Sequence, residues 1–232
     1  MYARKVDNRT LTFGVSGLLV RNSLVMYDRE TGSLWSHLSG KALDGPLAGK
    51  HLQLIASTQA SWASWRHAYP DTLLLAFDPA LVSDPYSTYY RSPQLGVYRD
   101  QADLTADPRL GAKEKVIGLR LDGHVKAYSL STLAKDKVVD DLVGDVPVVV
   151  VFDGATESGA VFRRDPGGVT LTFRAGLTAL ELVDEWSGST WNGLIGSATT
   201  GPLSGTVLEQ IPITYGFWFA WSAFYPETDL FR

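Results

Sequence analysis

The alternation of apolar and polar residues predicts a chain made mainly of β-strands. Residues 116–121 and 124–128 are strand-like segments joined by Asp122-Gly123, which is the pattern of a β-hairpin. Residues 146–152 form a continuous apolar run, typical of a strand buried on both faces. Further strands are expected at 52–55, 160–163, 169–173 and 207–211.

Two short helices are predicted from aromatic residues spaced three and four positions apart. Trp62, Trp65 and Tyr69 lie on one helical face, and a proline ends the helix. The same pattern recurs at Trp218, Trp221, Tyr225 and Pro226. Thr58 and Thr214 are the expected N-cap residues.

Both helices belong to a longer stretch that the chain contains twice. Residues 28–72 align without a gap on residues 184–228, with 19 identities in 45 positions. Ordinary residue frequencies would give roughly three. The match indicates an internal duplication. We name residues 28–72 the first repeat and residues 184–228 the second repeat.

The match continues upstream, where residues 10–13 align on residues 170–173. The second unit then extends back to about residue 115, and the first has no residues left to match it. Either the natural chain starts further upstream, which we favour, or another chain supplies the strands, or the first unit does without them. The predicted organisation is therefore a first, N-terminally incomplete unit (1–77), a connecting segment (78–114) and a second unit (115–232).

The predicted fold class is α+β and mainly β, within one compact domain. We expect two tandem, pseudo-symmetric, strand-rich units, each with one short aromatic-faced helix. They should share a core around a pseudo-two-fold axis, because a unit this small buries too little apolar surface alone.

Composition and charge exclude several functions. The formal net charge is −4 and Lys and Arg are not clustered, so no nucleic-acid partner is expected. The absence of cysteine excludes disulfides, thiolate metal sites and a cysteine nucleophile in this chain. No apolar run is long enough to span a bilayer. The chain begins without a signal segment, so the compartment is open, and export in a longer precursor is one alternative.

Two Trp–Asp pairs are the first candidates for a ligand site. Trp35 and Trp191 follow polar turns, where an exposed ring could stack on a sugar or another planar ligand. The alternative, which the repetition favours, is that each ring closes the core of its unit. Asp28 and Asp184 are carboxylates suited to acid–base chemistry or cation binding, or else caps of their own turns, which we favour.

His37 is the best single histidine candidate because it follows Trp35 closely. The four histidines show no metal-ligand spacing, so neither a metal nor a cofactor is expected. A cluster of tyrosines in the connecting segment either lines a ligand groove or covers the core where the units meet. Its members are Tyr86, Tyr89, Tyr90 and Tyr98.

Several motifs resemble a prokaryotic family named "domain of unknown function 3179". They lie at residues 15–19, 26–35, 45–49, 62–65, 70–72, 84–86 and 116–130. The resemblance covers nearly the whole chain, and the family has no established activity to carry over. Members usually carry a Cys-Pro-Leu-Cys-Gly-like motif just before the Leu-Thr-Phe segment of the first unit. The corresponding strand end in the second unit, residues 151–154, has no cysteine.

These observations favour a binding or structural module with a groove for a small molecule or protein between the two repeats. The alternative is an enzyme, or the remnant of one, whose cysteine motif lies upstream of this chain. Self-association is a further expectation, because an open strand edge near Tyr2 to Phe13 invites pairing.

Overall fold

The computed structural model describes residues 1–76, 86–96 and 107–231. These residues contain short α-helices and many more strands, so the α+β, mainly β class is confirmed. The strands are β1 (Lys5–Val6), β2 (Arg9–Thr10), β3 (Phe13–Val20), β4 (Ser23–Asp28), β5 (Leu34–Ser36), β6 (Ala42–Asp44), β7 (Lys115–Leu121), β8 (His124–Ser129), β9 (Val138–Val143), β10 (Val146–Asp153), β11 (Ser158–Arg163), β12 (Phe173–Ala175), β13 (Glu181–Asp184), β14 (Thr190–Asn192), β15 (Ser197–Thr200), β16 (Ile213–Phe217) and β17 (Asp229–Phe231). The helices are α1 (Trp62–Ala68), α2 (Ser87–Arg91), α3 (Leu130–Asp136) and α4 (Trp218–Phe224).

Four sheets and one two-stranded ribbon (β1-β2) organise the described strands. The first repeat contributes to an antiparallel sheet of order β3-β4-β5-β6, and the second repeat to one of order β12-β13-β14-β15. A three-stranded sheet has the order β11-β10-β9, and a fourth sheet has the order β16-β7-β8-β17. In that last sheet β17 runs parallel to β8, whereas the other neighbours are antiparallel.

The predicted hairpin and the predicted buried strand are both confirmed. β7 and β8 pair in register up to Leu121 opposite His124, so Asp122 and Gly123 form the two-residue link. β10 is covered on both faces because successive side chains point to opposite sides of a sheet. Val148 and Val150 pack in one apolar cluster, and Val149 packs in another.

Other local predictions are wrong. Residues 52–55 and 207–211 form only isolated backbone bridges, and the strand expected at 169–173 begins only at Phe173. The N-caps are Ser61 and Phe217 rather than the threonines. Before α4 the reason is that β16 continues to Phe217 through its pairing with β7, so the helix starts later.

The apolar residues form four clusters in the described part of the chain. Trp35 packs with Val6, Leu11, Ala42 and Leu52 beneath the first sheet. The second sheet and one face of β10 enclose Trp191 in a separate cluster. A further cluster brings Leu38 from the first repeat together with Trp218 and Trp221 of α4. No helix in the described ranges is long and apolar enough to cross a membrane.

Candidate functional site

Asp28 closes a tight turn between β4 and β5 and holds the indole of Trp35. The Asp28 Oδ1 atom accepts a hydrogen bond from the Thr31 backbone N–H at 2.6 Å. Trp35 Nε1–H donates to Asp28 Oδ2 at 2.8 Å. Both residues are 0% exposed. A buried indole N–H normally needs such a partner, and here a carboxylate provides it.

The second repeat builds the same arrangement from its own residues. Ser187 N–H donates to Asp184 Oδ1 at 2.6 Å, and Trp191 Nε1–H donates to Asp184 Oδ2 at 2.9 Å. Asp184 and Trp191 are also 0% exposed. Phe173 meets the Trp191 ring edge to face at 5.5 Å.

These contacts decide between the two interpretations of the Trp–Asp pairs. Of the two alternatives for Trp35 and Trp191, the structure agrees with the favoured one, in which each ring closes the core of its unit, because neither ring has accessible surface for stacking. Asp28 and Asp184 cap their turns through side-chain oxygens, as favoured from the sequence.

The two carboxylates are held in the ionised form. Burial acts to raise the pKa of Asp28, but the hydrogen bonds from Trp35 and Thr31 outweigh it, so the pKa lies below its ordinary value. The pKa of Asp184 is lowered in the same way, with Trp191 and Ser187 as donors against the opposing effect of burial. Each indole therefore donates to a negative charge.

A glycine makes this turn possible in each repeat. Gly201 has φ of +84°, and a Cβ built on it would lie 2.7 Å from the Ser189 Cα. Gly45 has φ of +89°, and its added Cβ would lie 2.7 Å from the Ser33 Cα. Only a residue without a Cβ fits such a contact with backbone. The turn at residues 45–49, and likewise the one at 201–205, thus packs directly on the turn that the aspartate of the same repeat caps.

A cavity lies between α1 and the second-repeat sheet. Its volume is about 440 Å³, within the usual size range of small-molecule sites. It is lined by Ala63, Ser64, His67, Thr178, Ala179, Leu180, Glu181, Thr190, Trp191, Asn192, Leu194 and Thr199. We name this cavity the inter-repeat cleft. Trp191 lies beside this cavity but is itself fully buried, while the other predicted site residues lie outside this lining.

The wall of the inter-repeat cleft combines polar and apolar side chains, with Glu181 as a carboxylate among them. Glu181 Oε1 accepts a hydrogen bond from the Leu177 backbone N–H at 2.7 Å. Asn192 Oδ1 accepts one from the Leu194 backbone N–H at 2.9 Å, which fixes the amide plane. None of the described residues that line it is Lys or Arg. The cleft can therefore hydrogen-bond a neutral ligand but offers no cation to an anion.

Sequence reasoning did not select the cleft residues, although a signal was present. Several of them occupy positions at which the two repeats differ. Ser64 and His67 stand opposite Ala220 and Ala223, and Thr199 stands opposite Leu43. The identical positions Trp35 and Trp191, by contrast, are both buried in apolar clusters. The positions at which the two repeats differ in sequence therefore carry the signal for this cavity.

His37 lies at a different cavity, of about 390 Å³, together with Tyr2, Thr58, Gln59 and Tyr215. Partial burial of the imidazole, and next the positive amino terminus, lower the pKa of His37. Tyr2 Oη–H donates to the Leu38 carbonyl at 2.7 Å, and burial raises the pKa of Tyr2 to about 12. The Tyr2 side chain, which lines this second cavity, is thus held by a backbone carbonyl of the first repeat.

The tyrosines of the connecting segment lie against the second unit. Tyr89 receives the Lys113 ammonium 3.7 Å from its ring centroid and meets Phe217 at 6.3 Å. Tyr90 meets Phe217 at 5.9 Å, while Tyr86 is 60% exposed. Tyr98 lies outside the described residues. Tyr86 and Tyr89 thus do not join Trp35 and Trp191 in one groove.

Within the described residues, no group of three or more His, Cys, Asp or Glu side chains is placed to hold a metal ion.

Comparison with known proteins gives a family and no further relative. No curated protein and no solved structure matches the chain. A sequence model of one family matches residues 1–228 of the 232. The chain therefore belongs to the family described as "Protein of unknown function (DUF3179)".

Proposed function

We propose that this protein is a binding module whose inter-repeat cleft takes a small polyhydroxylated molecule, of the size of a mono- or disaccharide. The observation that carries the proposal is the position of the cleft. It is walled by α1 of the first repeat and by β13 and β14, and half of its lining residues lie at positions where the two repeats differ: Ala63, Ser64, His67, Thr190, Asn192 and Thr199.

The proposal includes an internal duplication with pseudo-two-fold symmetry, and paired contacts support it. The isolated bridge of Tyr2 with Leu54 has a counterpart in that of Phe162 with Gln210, at equivalent positions. The backbone hydrogen bonds from Leu11 N–H to Arg4 O and from Leu171 N–H to Arg164 O, at 2.8 and 2.7 Å, are likewise equivalent.

A two-fold relation also gives a reason for the cleft. It would place each helix against the sheet of the other repeat. On one side Leu38 packs with Trp218 and Trp221, and Arg21 Nη1 donates to the Ala223 carbonyl at 2.5 Å. On the other side the equivalent Leu194 borders an open cavity. One of two equivalent interfaces is then filled by protein, and the other is left for a ligand.

The lining selects the chemistry of the ligand. Serine, threonine and asparagine side chains both donate and accept hydrogen bonds, as sugar hydroxyls do. Small apolar residues such as Ala63 and Leu180 suit the C–H faces of a pyranose ring. Phosphates are disfavoured, because Glu181 brings a negative charge and no lining residue offsets an added anion.

Isothermal titration calorimetry of the full chain tests the proposal. The probes are the neutral sugars maltose and D-glucose, with inorganic phosphate as the contrasting anion. We expect saturable binding of at least one sugar at one site per chain, and no heat of binding with phosphate. No binding of either sugar, or tighter binding of phosphate, would refute the ligand class.

A matched pair of histidine variants assigns the site. His67→Leu changes the cleft wall, whereas His51→Leu changes an exposed histidine elsewhere in the first repeat. We expect His67→Leu to weaken sugar binding about tenfold, the loss of one well-made polar contact, and His51→Leu to leave it unchanged. Equal effects of the two variants would remove the cleft as the site.

Two further proposals concern partners and activity. We infer self-association through the open edge near Tyr2 to Phe13, because β3 is the edge strand of its sheet and exposes Val15 and Leu18. A protein ligand at the same cleft, and an enzyme whose reactive motif precedes this chain, stay predictions.

A further inference from the structure

The aromatic side of α1 is exposed where its counterpart on α4 is buried. Trp62 is 39% exposed, whereas the equivalent Trp218 is 0% exposed. Ile55 is 40% exposed, whereas the equivalent Ile211 is 2% exposed. After the helix, Leu74 is 59% exposed. Side chains that pack in the second repeat thus face solvent in the first.

The β7–β8 hairpin covers the equivalent surface of the second repeat. β16 precedes α4 and pairs antiparallel with β7, and β17 follows α4 and pairs parallel with β8. α4 lies across the hairpin so closely that a Cβ on Gly118 would come within 2.3 Å of the Trp221 ring. The hairpin therefore occupies a slot whose walls are two strand edges and the aromatic face of a helix.

The first repeat carries the same three walls without that hairpin. The alignment makes residues 57–61 equivalent to β16, α1 equivalent to α4, and residues 73–75 equivalent to β17. Among the described residues, neither 57–61 nor 73–75 belongs to a sheet, and Gln59 makes only an isolated bridge, with Gly159. Leu73 and Leu75 are 93% and 87% exposed. These are exposed apolar side chains flanked by two segments that, among the described residues, belong to no sheet.

We propose that this surface binds a partner β-hairpin of the design of Lys115–Ser129, with a glycine facing Trp65. We name it the hairpin face and define it by Trp62, Trp65 and Leu74, whose counterparts Trp218, Trp221 and Leu230 belong to one cluster with Val116 and Ala127 of the hairpin. The hairpin face is distinct from the inter-repeat cleft, because Ala63, Ser64 and His67 line that cleft from the other side of α1.

The slot selects this occupant by three features. Two strand edges bind an added two-stranded ribbon through main-chain hydrogen bonds on both of its sides. The indole at Trp65 requires a position without a Cβ, as Trp221 requires Gly118. The apolar side chains require an apolar hairpin face, such as Val116 and Ala127 offer to α4. A second copy of this chain does not fit, because its own hairpin is already held by α4 and β17.

Tryptophan fluorescence of the full chain tests the proposal. The probe is a synthetic peptide of residues 115–129 with a cysteine added at each end and closed by a disulfide. The peptide has no tryptophan, and the chain has no cysteine with which its disulfide could exchange. The chain carries Trp186→Phe, because Trp186 is 66% exposed and would add unrelated emission. We expect a saturable blue shift and weaker iodide quenching at one peptide per chain.

Two matched controls make the outcome specific. A Gly118→Val peptide should leave the emission unchanged, because the added side chain would meet the Trp65 ring. In the chain, Leu74→Asp should weaken binding of the original peptide at least about tenfold through burial of an unpaired charge. Leu177→Asp, at a position that is 100% exposed, should not weaken it.

Three results would overturn the proposal. The first is no change of emission with the original peptide, whose fold is checked by circular dichroism. The second is an equal response to the Gly118→Val peptide, which would indicate unspecific apolar contact. The third is protection of Trp62 and Trp65 by dimerisation of the chain without peptide, which would assign the face to a second copy.

Discussion

Replacing either buried tryptophan by phenylalanine should destabilise the protein by a similar amount. Trp35→Phe removes the indole N–H that donates to Asp28 at 2.8 Å, and Trp191→Phe removes the donor to Asp184 at 2.9 Å. A hydrogen bond to a charged group contributes about 1.5–3 kcal/mol. The smaller ring leaves roughly 40 Å³ unfilled, which adds about 1 kcal/mol. Each variant should thus lose about 2.5–4 kcal/mol of unfolding free energy.

Urea unfolding followed by far-ultraviolet circular dichroism measures this loss without relying on the tryptophan signal. Trp186→Phe is the control, because its ring is 66% exposed and its replacement should change the free energy by less than about 0.5 kcal/mol. A loss of unfolding free energy in either buried-site variant as small as that of the control would refute the role of the Trp–Asp hydrogen bonds. A loss of several kcal/mol in one variant and almost none in the other would refute the equivalence of the two sites.

Three other perturbations follow from the same contacts. Gly201→Ala should lower the unfolding free energy by at least about 1 kcal/mol more than Gly205→Ala. Both glycines have positive φ, but only at position 201 would the added Cβ clash with backbone. Equal losses in urea unfolding would contradict this. Trp218→Ala should cost about 3–5 kcal/mol and Trp62→Ala clearly less, since their exposures are 0% and 39%; thermal unfolding compares them, and equal losses would contradict the burial contrast. The pKa of Asp184 is lowered in the folded protein, so the stabilisation that its carboxylate provides is present above about pH 4 and is lost as pH falls through the folded pKa. Asp184→Asn should therefore flatten the acid limb of the profile of unfolding free energy against pH. An unchanged acid limb would contradict this role of Asp184.

The elements that the sequence predicts well are those whose partners are close in sequence or whose apolar pattern is unbroken. The Asp122-Gly123 turn specifies the β7–β8 hairpin by itself, and the valines of β10 allow only two-sided burial. Residues 207–211 resemble a strand because Val207, Leu208 and Ile211 are apolar. They form no regular strand because Val207 and Gln210 bridge to different neighbours, Ser197 and Phe162.

The inter-repeat cleft could not be predicted from the sequence, for a different reason. Its walls come from residues 63–67 and 178–199, which are distant in the chain and show no pattern that would place them together. The aromatic candidates Trp35 and Trp191 drew attention through their repetition. Both rings fill a tightly packed apolar core, and neither is open to a ligand. Ser64, His67 and Thr199, where the two repeats differ in sequence, line the cleft instead.

The most direct test of the account is the amide NMR spectrum of the full chain titrated with maltose. Binding in the inter-repeat cleft predicts progressive shifts of the amides at 63–67, 178–181 and 190–199, the segments that line it. The amides around His37 and Tyr86 should stay in place. Shifts confined to those latter regions, or an unchanged spectrum at saturating maltose, would contradict the central claim.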